Sequence, residues 1–151
     1  MRNRHRHPHC ISAAVLLAAA AATVAAAPAP PAVPANKLVI NRTGTLASDG
    51  TVTLTGTYRC SVNHSAGPVF VVTNLTQGGT TVGMGDAPAT CDGRQHAWRN
   101  SSHPARPFQP GPARTEGTVM ELRRQKSGVP VPRFLVVVPD TPITLTAHRR
   151  H

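Results

Sequence analysis

The sequence is poor in aromatic side chains and in acids. It has one Trp, one Tyr and three Phe among 151 residues, and six Asp and Glu against 16 Lys and Arg. Proteins that bind single-stranded nucleic acid stack bases on exposed rings, and many sugar-binding proteins do the same with sugars. Five rings, some of which a core must bury, are a poor supply for either function. We therefore expect no specific nucleic-acid partner.

The sequence also lacks the motifs of common catalytic sites. No G-x-S-x-G, H-E-x-x-H, phosphate loop or G-x-G-x-x-G occurs. Glu116 and Glu121 are five residues apart, so on a strand they face opposite sides and cannot flank one bond. His64, His96 and His103 are candidate bases, but each lies in polar, turn-rich sequence typical of surface histidines. We expect no catalytic residue, no cofactor and no metal, and hence a protein that is not an enzyme.

The N-terminus has the three regions of an export signal. Three arginines within the first six residues precede an uncharged stretch over 11–24, and small residues follow up to Ala27. This pattern predicts a Sec-type signal peptide over 1–27, cleaved near Ala27. Its apolar stretch is shorter than the ~20 residues that span a bilayer, although an uncleaved anchor is the alternative. We expect a secreted protein with no membrane span in the mature chain.

The mature chain is basic. Without the signal peptide it has 13 Lys and Arg against six acids, a net charge of +7. A basic exported protein is drawn to anionic surfaces such as cell-wall polymers, but a solvated basic face with no dedicated partner is an alternative. Residues 28–36 are a Pro- and Ala-rich spacer, 37–147 have the length of a single domain, and 148–151 are a basic tail. We expect a monomer.

The domain has the sequence period of β-strands. Over Thr51–Cys60 the apolar residues alternate with Thr and Arg, and Gly56 falls on the apolar face, where a bulge or a close approach of another chain segment is expected. Ser48-Asp49-Gly50 predicts a hairpin turn, with Leu38–Arg42 as the strand before it.

The other predicted strands are separated by Gly and Pro. Within Thr115–Arg123 we expect Thr118, Met120 and Leu122 to face inward. The unbroken apolar run Arg133–Val138 predicts a strand that is covered on both sides. The further strands are Val69–Leu75, Thr80–Val82, Ala89–Arg99 around a turn at Asp92-Gly93, and Pro142–Thr146. Seven or eight short antiparallel strands without helical period predict an all-β, single-domain, Ig-like β-sandwich.

The mature chain has two cysteines, Cys60 and Cys91. Two cysteines in an exported chain most often form a disulfide, and a metal pair or a catalytic thiol are the alternatives. Cys91, His96 and His103 have the chemistry of metal ligands but no recognised spacing. We expect Trp98 and Tyr58 to pack in the core near the bridge.

Four Asn-x-Ser/Thr sequences begin at Asn41, Asn63, Asn74 and Asn100. They would suggest glycans in a eukaryotic secreted protein. The bias toward Ala, Pro, Gly, Arg, Thr and Val is typical of a GC-rich bacterial genome. In such a Thr- and Ser-rich chain, we interpret these sequences as chance occurrences.

Three sequence blocks carry a resemblance to a known family. They are G-T-Y-R-C at 56–60, C-D-G-x-x-H-x-W at 91–98, and G-P-A-x-x-E-G-T-V-M-E-L at 111–122. Together they resemble a family of small exported domains from actinobacteria, chiefly streptomycetes, that has no assigned function. The resemblance spans Lys37 to Leu145, implies secretion and a Cys60–Cys91 pair, and supplies no catalytic residue.

These observations favour a non-catalytic binding or envelope-associated module. One alternative is a protease inhibitor that presents the Pro-rich loop 103–112, whose stiff backbone lowers the entropic cost of binding. Another is a carrier that holds a small ligand in a cleft between the two sheets. A hydrolase comes last, because no motif supports it.

Overall fold

The computed structural model describes residues 36–62 and 67–148. The predicted signal peptide, the spacer up to residue 35, His64 and the tail after His148 lie outside the described residues. Within the described ranges, no helix is long and apolar enough to cross a bilayer. The strands are β1 (Lys37–Ile40), β2 (Thr43–Leu46), β3 (Val52–Ser61), β4 (Val69–Gln77), β5 (Thr80–Ala89), β6 (Asp92–Ser102), β7 (Gly111–Arg124) and β8 (Pro130–Ala147).

The strands form two layers that β2 connects. In the first layer β3 pairs with β1 and β2 along one edge and with β6 along the other. The second layer has the order β8-β7-β4-β5. β2 also pairs with the end of β8, from Thr43 opposite Thr144 to Leu46 opposite Ala147, and this pair is parallel. The predicted Ig-like β-sandwich is confirmed, with one parallel pair among antiparallel ones.

The predicted hairpin turn precedes β3. Gly50 has a φ of 86°, a conformation that Gly tolerates, and the Asp49 carboxylate accepts a hydrogen bond from the Thr51 amide at 2.9 Å. The strand that leads into this turn is β2, not the predicted Leu38–Arg42. The predicted strand is interrupted at Asn41. β1 pairs with the second half of β3, whereas β2 pairs with the first residues of β3 and also with the end of β8.

Two further strand predictions need correction. β5 runs for ten residues instead of three, and it ends at Ala89. Ala89–Arg99 is therefore not one hairpin, because Thr90 and Cys91 connect β5 to a separate β6. Gly93, with a φ of 80°, lies inside β6 where the register against β3 shifts. The Asp92-Gly93 pair thus makes an irregularity within a strand and not a hairpin turn.

The first layer is closely packed around Gly56. Gly56 lies between Ile40 of β1 and Trp98 of β6. The Trp98 indole N–H donates a hydrogen bond to the Val39 carbonyl at 3.2 Å. A Cβ atom at Gly56 would lie 2.8 Å from the Trp98 Nε1 and would overlap the Val39 carbonyl oxygen. The expected close approach at Gly56 is present, and Trp98 is a buried core residue.

The direction of the β7 side chains is opposite to the prediction. β4 pairs Val71 with Val119, which places Val119 in the core and turns Met120 outward. The alternation continues along the strand, so Thr118 and Leu122 also face away from the core. The buried β7 residues are Ala113, Thr115, Gly117, Val119 and Glu121.

Candidate functional site

The two cysteines form a disulfide where β3 ends and β6 begins. Cys60 and Cys91 are bonded, with their Cα atoms 4.6 Å apart, and Cys60 is fully buried. The Tyr58 hydroxyl accepts a hydrogen bond from the Thr90 amide at 2.8 Å, so Tyr58 packs beside the bridge as expected. Trp98 instead packs against Gly56, four residues from Cys60 along β3.

His96 connects the start of β6 to β3 through contacts with Asp92 and Tyr58. Its ring stacks on Tyr58, with ring centroids 5.4 Å apart, and its Nε2 donates to the Asp92 carboxylate at 2.8 Å. Asp92 also accepts a hydrogen bond from the Arg94 amide at 2.9 Å. These two hydrogen bonds, that from His96 foremost, lower the pKa of Asp92 below its ordinary value. The histidine that sequence analysis offered as a base is thus engaged in a structural contact.

The three residues with metal-ligand chemistry, Cys91, His96 and His103, do not converge. His96 pairs with Tyr58 on β3, whereas His103 lies beyond the other end of the strand pair, with its Nδ1 3.5 Å from the Thr51 hydroxyl. Six residues of strand between these positions correspond to ~20 Å. Cys91 is already in the disulfide. Among residues 36–62 and 67–148, no group of three His, Cys, Asp or Glu could hold a metal ion.

The Pro-rich loop between β6 and β7 is held firmly on the domain. Pro104 and Phe108 are buried, and Phe108 belongs to the main core. The Gln77 side chain donates to the Gln109 carbonyl and accepts from the Gln109 amide, both at 2.9 Å. The loop is therefore anchored at its start and its end, and the three residues 105–107 between these anchors are exposed.

Basic and apolar residues meet at the β7–β8 hairpin. Arg123, Arg124 and Lys126 are all exposed where β7 ends and the turn begins. Val129 and Val131 on the other side of the turn are 62% and 41% exposed. We call these five residues the basic hairpin. Its combination of cations with uncovered aliphatic side chains suits an anionic surface that also has apolar groups.

A buried carboxylate lies at the base of this hairpin. Glu121 is fully buried on the inner side of β7. Arg133 on β8 donates to the Glu121 carboxylate at 2.9 Å, and the Arg123 Nε lies 3.7 Å from the same oxygen. Because a buried carboxylate requires compensating charge, Glu121 holds both arginines near the base of the hairpin.

The second layer has an uncovered apolar surface on the side away from the core. Phe134 and Val137 of β8 are 60% and 62% exposed on this side. Beside them lie Met120 and Thr118 of β7, and then Val72 of β4, all partly buried. We call this surface the outer face. The apolar run in β8 is therefore covered on one side only, which corrects the prediction that both sides are covered.

The outer face contains a shallow cavity of about 310 Å³ between β4, β7 and β8. Glu116 and Asn74 close one end of it, and the Asn74 amide donates to the Glu116 carboxylate at 2.9 Å. Beyond Glu116, the Arg114 guanidinium forms an ion pair with Asp140. The positive charge of Arg114 is thus compensated, and Glu116 remains the acidic group at this end of the cavity.

Asn100 connects the two layers through the core. Its side-chain amide nitrogen lies 3.0 Å from the Val71 carbonyl, 3.0 Å from the Thr73 hydroxyl and 3.1 Å from the Gly85 carbonyl. Because this nitrogen is buried and donates to other strands, the folded protein cannot carry a glycan at Asn100. This supports the interpretation of the Asn100-Ser-Ser102 sequence as a chance occurrence.

The strand order and the connecting β2 place the protein in the class of Ig-like β-sandwiches. More specifically, the chain belongs to the family of unknown function DUF6299, whose model matches residues 34–148. A solved structure of murine CRIg is similar at 16% sequence identity, covering 76% of this chain and 98% of that chain, with a TM-score of 0.32. No curated protein matches the sequence. The expectation that the chain belongs to a family without assigned function is confirmed.

Sequence reasoning missed two features of the site, the burial of Glu121 and the exposure of Phe134. The inward direction of Glu121 could not be predicted from the sequence, because apolar residues occur on both faces of β7. One signal was present: Arg133 lies twelve residues after Glu121, across a Gly- and Pro-containing turn, where a hairpin partner is expected.

Proposed function

We propose that this protein is an exported, non-catalytic binding module of an actinobacterial cell envelope, and that it contacts anionic wall polymers through the basic hairpin. The observation that carries the proposal is the gathering of Arg123, Arg124 and Lys126 at one projecting turn, beside the exposed Val129 and Val131. The buried Glu121 at the base of the hairpin is shared between Arg123 and Arg133, and Arg133 is the closer of the two.

Export is supported by the predicted signal peptide and by the Cys60–Cys91 disulfide, since disulfides persist in oxidising compartments. The non-catalytic part of the proposal is supported by the lack of common catalytic motifs in the sequence. Actinobacterial origin is supported by the composition and by the three sequence blocks.

The contact of the hairpin with a polyanion is mainly electrostatic. Exposed charges interact over about one Debye length, which is ~8 Å at physiological ionic strength and ~3 Å in 1 M salt. Three cations within one turn can therefore act together on a polyanion at low salt, and each is screened from it at high salt. We expect binding that decreases steeply as salt increases.

The test is retention on purified anionic wall material over a salt series. The variant Arg123→Gln/Lys126→Gln removes two charges from the hairpin, and Arg42→Gln/Arg94→Gln removes two exposed charges from elsewhere. We expect the hairpin variant to elute at clearly lower salt than the control variant, which has the same net charge. Equal elution of the two variants would show that net charge, and not the hairpin, governs retention. No salt-sensitive retention of the parent protein would reject the proposed function.

Protease inhibition is a second candidate, because the Pro-rich loop is anchored and presents residues 105–107. The loop extends over 103–110, since β7 begins at Gly111. Its exposed Arg106 is a side chain that trypsin-like proteases accept. We expect inhibition of such a protease and its loss in Arg106→Ala. Cleavage without inhibition rejects this candidate.

The carrier hypothesis requires a cleft between the sheets. The cavity of about 310 Å³ described above lies on the outer face, and two others of about 340 and 380 Å³ are open at the surface near Gly78. A clean native mass spectrum of protein purified from its host, without a bound metabolite, would argue against a carrier.

A further inference from the structure

We propose that the outer face binds a second copy of this chain, so that the protein forms a two-fold symmetric dimer. This inference goes beyond the proposed function. It shares Arg124 with the basic hairpin, but it rests on the sheet surface and not on polyanion binding. It replaces the monomer that we expect from the sequence alone. Two features carry it, the exposed apolar side chains and the order of charges along β7, and the size of the surface sets the expected affinity.

The exposed apolar side chains lie at the centre of the outer face. Phe134 pairs in register with Met120, and Val137 with Thr118. Phe70 of β4 pairs with Met120 from the other side, so three large apolar residues form a row across the sheet. Phe134 and Val137 are more than half exposed. A contiguous exposed apolar row of this kind marks an interaction surface more often than scattered single residues do.

The order of side chains along β7 indicates what covers this row. From Glu116 onward, the outward-facing residues are Glu116, Thr118, Met120, Leu122 and Arg124, and Arg114 before them is paired with Asp140. The strip therefore has an acid at one end, a base at the other and apolar side chains between them. A two-fold axis that crosses the strands near Met120 would place Glu116 of each copy over Arg124 of the other. The strip is thus complementary to itself in the antiparallel orientation.

The same symmetry matches the neighbouring strands. Phe134 is level with Met120, so the two Phe134 rings would meet across the axis, and Val137 would meet Pro132. A two-fold axis parallel to the strands would instead place the two Glu116 side chains opposite each other. The two Arg124 side chains would also face each other, so like charges would repel at both ends. The charges therefore select the antiparallel arrangement. The ion pair of Arg114 with Asp140 leaves no uncompensated charge next to Glu116.

The surface is small, which sets the expected affinity. The nine residues from Glu116 to Arg124 span about 27 Å, and three strands at about 4.8 Å spacing span about 14 Å, which gives a footprint on the order of 400 Å² per copy. A standard stable interface buries ~800 Å² per partner, so we expect a weak, reversible dimer with a dissociation constant of roughly 10 to 100 µM. In packed sheets the strands cross at ~30°, so the long Arg124 side chain is needed to reach Glu116 at the end of the strip.

Sedimentation velocity at concentrations from about 10 µM to about 1 mM tests the proposal directly. We expect the parent protein to shift from monomer to dimer over this range, and Phe134→Glu to remain monomeric. Val39→Glu, which changes an exposed valine on β1, is the matched control and should dimerise like the parent protein. Circular dichroism establishes that each variant is folded.

Charge reversal tests the orientation. Glu116→Arg alone and Arg124→Glu alone should each weaken the dimer by about tenfold, because symmetry makes two repulsive contacts from one change. The double variant Glu116→Arg/Arg124→Glu should restore dimerisation. A parent protein that stays monomeric at the highest concentration overturns the proposal, as does a double variant no stronger than either single one. Neither result bears on wall binding, which is tested with Arg123 and Lys126.

Discussion

Replacement of Gly56 by alanine should destabilise the protein strongly. The new Cβ would overlap the Val39 carbonyl oxygen and lie 2.8 Å from the Trp98 Nε1. It would therefore stand between the donor and the acceptor of the Trp98–Val39 hydrogen bond. Neither group can move easily, because Val39 is fixed by the pairing of β1 with β3 and Trp98 is buried.

The magnitude follows from two costs. Overpacking of a filled core costs about 1–3 kcal/mol, and a lost hydrogen bond costs about 1 kcal/mol. Replacement of Gly by Ala returns about 0.5 kcal/mol through the lower entropy of the unfolded chain. We expect a net loss of about 1.5–3.5 kcal/mol, a substantial part of the 5–15 kcal/mol typical of a folded domain.

Urea unfolding of the oxidised protein, followed by tryptophan fluorescence, measures this loss at Trp98 itself. Gly83→Ala is the matched control, because Gly83 is exposed on β5 and its new Cβ would meet only the Asn74 Oδ1, at 3.8 Å. The control should be neutral or slightly stabilised. If Gly56→Ala unfolds at the same urea concentration as the control, then β1 does not pack on Gly56 and Trp98 as described.

Three further predictions concern charges and the disulfide. Glu121→Gln removes the buried carboxylate from two arginines that are about half exposed, and the weaker hydrogen bonds should lower the free energy of unfolding by about 2 kcal/mol in urea unfolding. The lowered pKa of Asp92 means that its hydrogen bond with His96 stabilises the fold above pH ~4 and that this contribution is lost as pH falls further, so thermal melts of Asp92→Asn and the parent protein should converge at low pH. Cys60→Ala/Cys91→Ala opens a link across 31 residues and should cost about 4 kcal/mol in the same urea assay, whereas an unchanged midpoint would contradict the bridge.

Several features of the fold could be predicted because short stretches of sequence encode them. Asp49-Gly50 makes a turn that needs a positive φ, and the alternation over β3 places Cys60 in the core. Gly56 was recognised because a Gly on the apolar face of a strand has few other uses. Each of these inferences depends on fewer than ten consecutive residues.

The direction of β7 could not be predicted in this way. Thr118, Met120 and Leu122 form an apolar series, and the opposite series contains a charged residue, Glu121. Hydrophobicity alone therefore selects the wrong face. The actual choice depends on the pairing with β4 and on Arg133 from β8, which are contacts between residues distant in sequence. Such long-range contacts are not visible in the alternation of one strand.

The direction of the β7 side chains also explains why the outer face has exposed apolar side chains. Once Glu121 faces the core, Met120 must face away from it, and Phe134 beside it must do the same. The buried ion pair thus determines the composition of the opposite surface, because side chains on a strand alternate. Replacing a buried ion pair with apolar residues is often neutral or stabilising, so Glu121 is poorly explained by stability alone. It is better explained by what it orients: two arginines at the base of the basic hairpin, and an apolar row on the other side of the sheet.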